Sequence, residues 1–173
     1  MKALLLQGFF ITNFMGLEIE RKFLVKKDIW NILSIEKGEF YKQGYISTEP
    51  SKTMRVRLTE SHAFLTIKGS SQGFSRMEFE YSIPQEDAKQ LLEKFCSNII
   101  SKKRYKIFYH NHLWEIDVFL EDNEGLIIAE IELTSENEHF ELPPWVDNEV
   151  TTDERYYNSY LSQNPFKNWK NNL

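Results

Sequence analysis

Glu18, Glu20 and Lys22 stand two residues apart, and the same spacing of charge returns at Arg55/Arg57, Arg76/Glu78/Glu80, Lys102/Arg104, Glu115/Asp117 and Glu130/Glu132. A period of two is a strand period, because side chains at i, i+2 and i+4 of a β-strand share a face. Between these charges lie Ile19, Val56, Leu58, Met77, Phe79, Ile116, Val118, Ile131 and Leu133. Several strands therefore carry one apolar face and one face of mixed charge. Carboxylates hold divalent metals and basic side chains hold phosphates, so such a face suits a metal–polyphosphate.

A length of 173 residues is most simply one domain with a full core. Hydrophobic residues at 41% exclude a disordered chain. The net charge of -5 argues against a general nucleic-acid binder, although an arginine-rich strand face is still a strong local anion site. Cys96 is the single cysteine, which excludes an intramolecular disulfide and fits a reducing cytoplasm. It reads as an inert side chain in an amphipathic helix. No apolar run reaches the length of a membrane span, so no membrane partner is expected.

Residues 1–14 read as a separate leader. Lys2 followed by Ala3-Leu4-Leu5-Leu6 and Phe9-Phe10-Ile11 loosely resembles a secretory signal, yet no small-residue cleavage site follows. The favoured reading is an extension ahead of a start at Met15. Residues 15–165 read as the domain, and 166–173 as a polar tail.

Strands are predicted over Leu17–Val25, Phe40–Ser47, Thr53–Thr59, Ala63–Lys68, Phe74–Ile83, Ile99–Tyr109, Leu113–Leu120 and Leu126–Leu133. A short helix, Asp28–Leu33, is capped by Asp28 in this reading. Pro84 opens the clearest helix, with Ala88, Leu91, Leu92 and Phe95 on one face. A hairpin turns at His110-Asn111-His112, read as a solvated turn rather than a metal site. Pro143-Pro144 breaks the chain, and Thr152–Leu161 reads as a terminal helix. The expectation is one α+β domain whose eight antiparallel strands close into a β-barrel. With the charged face inside, the two longer helices or a second subunit cover the apolar outside.

On alternation alone, an ordinary sheet with one solvated face accounts for the pattern. Two details weigh against it. The polar positions hold few Ser, Thr or Gln, and acids are doubled within single strands, which invites repulsion unless cations lie between them.

These segments resemble the CYTH superfamily, the triphosphate tunnel metalloenzymes. The resemblance begins with Glu18-x-Glu20-x-Lys22 in LEIERKFLV and continues, in order, through MRVRL, LTIKG, SRMEFEY, KKRY, WEIDVF, GLIIAEIEL and VTTDERYYN. It covers Met15 to about Pro165. It implies an eight-stranded tunnel that binds triphosphate and Mg²⁺ or Mn²⁺. Glu18, Glu20, Glu130 and Glu132 are then the main metal carboxylates, with Glu78, Glu80, Glu115 and Asp117 as further metal, water or salt-bridge contacts. Lys22, Arg55, Arg57, Lys68, Arg76, Lys102 and Arg104 grip phosphate oxygens, and Arg155 is a second-rank phosphate ligand. Tyr41, Gln43 and Tyr45 share a strand face on which a tunnel-lining tyrosine and plain sheet packing are equally open.

The implied activity is metal-dependent hydrolysis of a triphosphate, inorganic tripolyphosphate first, giving pyrophosphate and phosphate. Catalytic roles fall to Glu18, Glu20, Lys22, Glu78, Glu80, Glu130 and Glu132, with Glu78 or Glu132 positioning the attacking water. Adenylate cyclase and thiamine triphosphatase are the alternatives within the family. A non-catalytic polyphosphate- or nucleotide-binding module is the alternative from another class. The expected partner is a small triphosphate, without nucleic acid, and a homodimer is compatible with the outward apolar face.

Overall fold

The computed structural model describes residues 17–33, 37–49, 51–70, 72–73 and 75–169. The leader, residues 1–14, lies outside the described residues, as does the end of the tail from residue 170.

Among the described residues there are nine strands: β1 (Leu17–Val25), β2 (Glu39–Glu49), β3 (Lys52–Thr59), β4 (Ala63–Gly69), β5 (Ser75–Ser82), β6 (Ile99–Tyr109), β7 (His112–Phe119), β8 (Ile127–Glu132) and β9 (Val146–Glu149). The helices are α1 (Lys27–Trp30), α2 (Gln85–Phe95) and α3 (Asn158–Gln163). All strand pairs are antiparallel, in the order β5-β4-β3-β2-β6-β7-β8-β1-β9. A further pairing of β5 with β1 turns this sheet into a ring. The expected eight-stranded ring is therefore formed, and its seam is short: Leu17, Glu18 and Ile19 oppose Met77, Arg76 and Ser75. Beyond the seam β1 takes β9 as its second neighbour, with Phe23 opposite Glu149. The four-residue strand β9 was not foreseen, because VDNE offers no apolar alternation.

Burial follows the alternation. On the outside of β1, β7 and β8, Ile19, Phe23, Trp114, Ile116, Ala129 and Ile131 form a core with Trp145 and Val146, and Phe140 and Trp30 pack against it. On the opposite flank α2 lays Ala88 and Leu92 over Val56 and Ala63. Phe95, expected on that apolar face, is 62% exposed at the helix end. Where α2 ends, a Cβ on Gly44 would stand 2.7 Å from the Cβ of Cys96, so glycine is what allows this close packing.

Three element expectations need correction. Asp28 lies inside the first turn of α1, whose N-cap is Lys26, and caps nothing. The β6–β7 turn is the dipeptide His110-Asn111, both residues at positive φ (43° and 67°), the geometry of a tight hairpin, so His112 already belongs to β7. The terminal helix splits into a 3-10 turn, Glu154–Tyr156, and the short α3. It does not cover the outside. Inward-facing positions change from charged to apolar at one end of the ring, at Leu24, Ile100, Phe119 and Ile128, and Tyr156 and Leu161 pack onto them. Phe166 and Trp169, from the predicted polar tail, pack against the same cluster.

Candidate active site

The inward faces enclose a cavity of about 1330 Å³. Strand alternation and register determine what lines it. On β1, Glu18, Glu20 and Lys22 point inward; on β8, Glu130 and Glu132 do, with Glu20 opposite Glu132 and Lys22 opposite Glu130. On β7, Glu115 opposes Glu130. The rest of the lining includes Arg55 and Arg57 of β3, Lys68 of β4, Arg104 and Lys106 of β6, and Arg76, Glu78 and Glu80 of β5.

Ion pairs knit this lining. At the seam, Lys68 Nζ donates to Glu18 (2.8 Å) and lies 2.8 Å from Glu78, while Arg76 Nε donates to Glu18 (2.6 Å). Burial alone would raise the Glu18 carboxyl, but Lys68 and Arg76 outweigh it and hold the group well below the usual carboxylate range. Burial dominates at Glu78 and pushes it up to about 7 despite Lys68. Next along β1, Lys22 Nζ donates to Glu20 and, at 2.5 Å, to Glu130. Burial raises the Glu20 carboxyl, and the charge of Glu130 adds to it. Burial would lower the Lys22 amine, yet Glu130 and Glu20 together raise it.

On β3, Arg57 donates to both oxygens of Glu80 (2.9 and 3.0 Å), and Arg55 reaches Thr66 (3.2 Å) and Glu80 (3.4 Å). The Arg57 guanidinium also lies over the rings of Tyr41 (5.5 Å) and Phe64 (5.1 Å). Burial and the neighbouring charge of Arg55 lower its pKa. Tyr41 lies under Arg104 as well, at 5.3 Å, and burial pushes its hydroxyl up to about 12.

Most of the site residues expected from the sequence thus line one cavity. Three do not. Asp117 is fully buried, accepting from Lys102 and from Arg104 (2.6 and 2.7 Å), and neither Asp117 nor Lys102 reaches the cavity surface. They form a pair beneath the floor, which positions Arg104. Arg155 is exposed on the 3-10 turn and is bound by Asp153 (2.6 Å), away from the cavity lining. The aspartate that caps this turn also captures the guanidinium.

Several lining residues escaped sequence reasoning. Phe64 and Lys106 share parity with Lys68 and Arg104, so alternation could have found them. Thr151, Tyr157, Asn158 and Ser159 follow no period, since an irregular segment brings them in. Thr151 accepts the backbone N–H of Lys22 (3.0 Å), which ties that segment to β1. At the rim, His112 is half-buried and meets Glu138 at 3.0 Å, unlike the solvated turn histidine expected.

The donor chemistry fits a hard divalent cation. Glu20 and Glu132 oppose each other directly, as do Glu115 and Glu130, and like charges so placed repel unless a cation joins them. Among the described residues, no three acidic or histidine groups converge as they would around an ion, because lysine and arginine engage most of these acids.

The chain matches the CYTH domain over residues 16–162. It belongs to the CYTH domain family. It is 49% identical over 157 residues to an inorganic triphosphatase of Acetivibrio thermocellus, covering 90% of this chain and 99% of that protein. An inorganic triphosphatase of Nitrosomonas europaea is 34% identical over 154 residues, covering 84% and 96%. Among solved structures, the crystal structure of an inorganic triphosphatase superposes with a TM-score of 0.58 at 30% identity, covering 84% of this chain and 93% of that one. The CYTH ring and the charged interior thus coincide with the family resemblance carried by the sequence motifs.

Proposed function

We propose that this CYTH protein is a metal-dependent triphosphatase that hydrolyses inorganic tripolyphosphate to pyrophosphate and phosphate. The observation that carries the reading is a cavity whose one wall presents carboxylates and whose other presents arginine and lysine. The names of the relatives at 49% and 34% identity support it. Glu20, Glu130 and Glu132, with Glu18 beside them, would hold Mg²⁺ or Mn²⁺. When bound, the ion offsets the charge of the phosphoryl oxygens.

The chain's own residues do the positioning. Arg55 and Arg57 offer planar forks to phosphoryl oxygens, and Lys22, Lys68, Arg76 and Arg104 add charge along the phosphate chain. Held in this way, the terminal phosphorus lies in line for attack by water, and the same cations stabilise charge as the bridging P–O bond breaks. Pyrophosphate leaves, and a cavity carboxylate, Glu78 or Glu132, takes the proton of the water. Asp117 and Lys102 act from beneath by fixing Arg104.

The test is phosphate release with tripolyphosphate, ATP and thiamine triphosphate in parallel, each with Mg²⁺, Mn²⁺ or chelator. Metal-dependent release fastest from tripolyphosphate is the expected result. Cyclic AMP formed from ATP replaces the reading with the cyclase; tight binding without turnover replaces it with a binding module. For a homodimer the candidate surface is the β5 edge of the seam, where Met77, Phe79 and Tyr81 of β5 and the neighbouring Leu17 of β1 are exposed. Sedimentation at monomer mass would remove that expectation.

A further inference from the structure

The wall formed by β2 and β3 contains a patch that the ion pairs leave unused. Gln43 is fully buried, and neither its amide oxygen nor its amide nitrogen has a hydrogen-bond partner. Nε of Arg55 and Nε of Arg57 are likewise buried and without a partner. The register makes these residues neighbours: Gln43 opposes Arg57, and Tyr45 opposes Arg55. Opposed residues share a face, so Gln43 takes the inward parity between Tyr41 and Tyr45, which line the cavity, while Gln43 itself lies beneath the cavity surface. Buried amides lacking both partners are rare, and a methionine would fill the same volume without burying polar atoms.

The chemistry of the patch is lopsided, with three donors (Gln43 Nε2 and the two guanidinium Nε–H groups) and one acceptor (Gln43 Oε1). Surplus donors on an inward wall suit an anion. At present Glu80 occupies the Nη2 groups of both arginines. A phosphoryl group that displaced Glu80 would free both guanidinium groups to turn toward the amide.

Resting on the triphosphatase reading, we propose that Gln43 is a phosphate-positioning residue of this wall. Its Oε1 accepts the Nε–H of Arg57 and fixes the angle of the guanidinium. Gln43 thereby connects the strand β2, which carries no phosphate-gripping cation, to the grip made by β3.

The test is calorimetric titration of the full chain with imidotriphosphate, whose P–N–P bridges resist hydrolysis, in Mg²⁺, with melting followed in parallel. Gln43→Met should melt at or above wild type, because it removes an unsatisfied buried amide, yet bind about tenfold more weakly, which is about 1.4 kcal/mol. Gln43→Glu, nearly isosteric, keeps the acceptor but adds negative charge and should bind more weakly still. A purely structural amide predicts the opposite pattern, with melting altered and affinity within twofold of wild type for both variants. That pattern, with Arg57→Ala clearly weakened, overturns the role of Gln43 and leaves the triphosphatase reading standing. Wild type binding neither imidotriphosphate nor tripolyphosphate removes that reading and this inference with it.

Discussion

Two arcs of the ring face each other with opposite character. On β1, β8 and β7 the inward positions hold Glu18, Glu20, Glu115, Asp117, Glu130 and Glu132 against one base, Lys22. On β6, β2, β3 and β4 they hold Lys102, Arg104, Lys106, Arg55, Arg57 and Lys68 against one acid, Glu39. Neutralisation is concentrated where the arcs meet: Arg104 with Glu115 and Asp117 at one joint, Lys68 and Arg76 with Glu18 at the other. Away from the joints like charges still oppose one another, although Lys22 bridges Glu20 and Glu130 within the acidic arc. Burial and Glu130 raise the Glu20 carboxyl, and burial and Arg55 lower the Arg57 guanidinium. Glu20 on one arc and Arg57 on the other are the groups that a bound cation and a bound phosphate would relieve.

The largest effect should come from the acidic arc. Glu130→Gln keeps the side-chain volume but removes the charge that faces Lys22 and Arg104, and should lower kcat by about 10²–10³ at saturating metal. Steady-state phosphate release measures this, and an unchanged kcat would erase the division between the arcs. On the basic arc, Arg57→Ala should act mainly on KM for tripolyphosphate, by about 10–100-fold, the worth of a charge-assisted bond. If it lowers kcat alone, the basic arc stabilises only the transition state.

Metal binding without substrate separates the arcs by a different readout. At about a hundredfold over its Kd, Mn²⁺ should stabilise the fold by about 2.7 kcal/mol. Denaturant midpoints should lose that increment in Glu20→Gln and keep it in Arg57→Ala. The smallest effect belongs to Arg155, which reaches neither arc. Arg155→Ala should leave KM within twofold and stability within about 0.5 kcal/mol.

What the sequence disclosed depends on period. Inward charges on β1, β3, β5, β7 and β8 were legible because alternation fixes parity, and one apolar face fixes which parity turns inward. Burial depth was not legible. Asp117 and Glu115 share one alternation, yet Asp117 is fully buried on Lys102 while Glu115 borders the cavity. Arg155 sits in a motif segment, but the local Asp153 captures it, and a two-residue contact of that kind has no periodic signature. The strand β9 and the lining residues Thr151 and Asn158 were missed for the same reason. The apolar sector at Ile100 and Ile128 does follow the alternation; what could not be read was that α3 would fill the ring's end instead of covering its flank.

The seam of the ring has a consequence for timing. Three residue pairs on β1 and β5 fasten the ring, and the middle pair joins Glu18 to Arg76, two of the groups that line the cavity. The clasp and the workplace are therefore one object. Until it snaps shut, Glu18 has no Arg76 beside it, and the sheet is an open ribbon with an exposed edge. The site is complete only once the seam is closed, and a fluctuation that unfastens those three pairs separates Glu18 from Arg76.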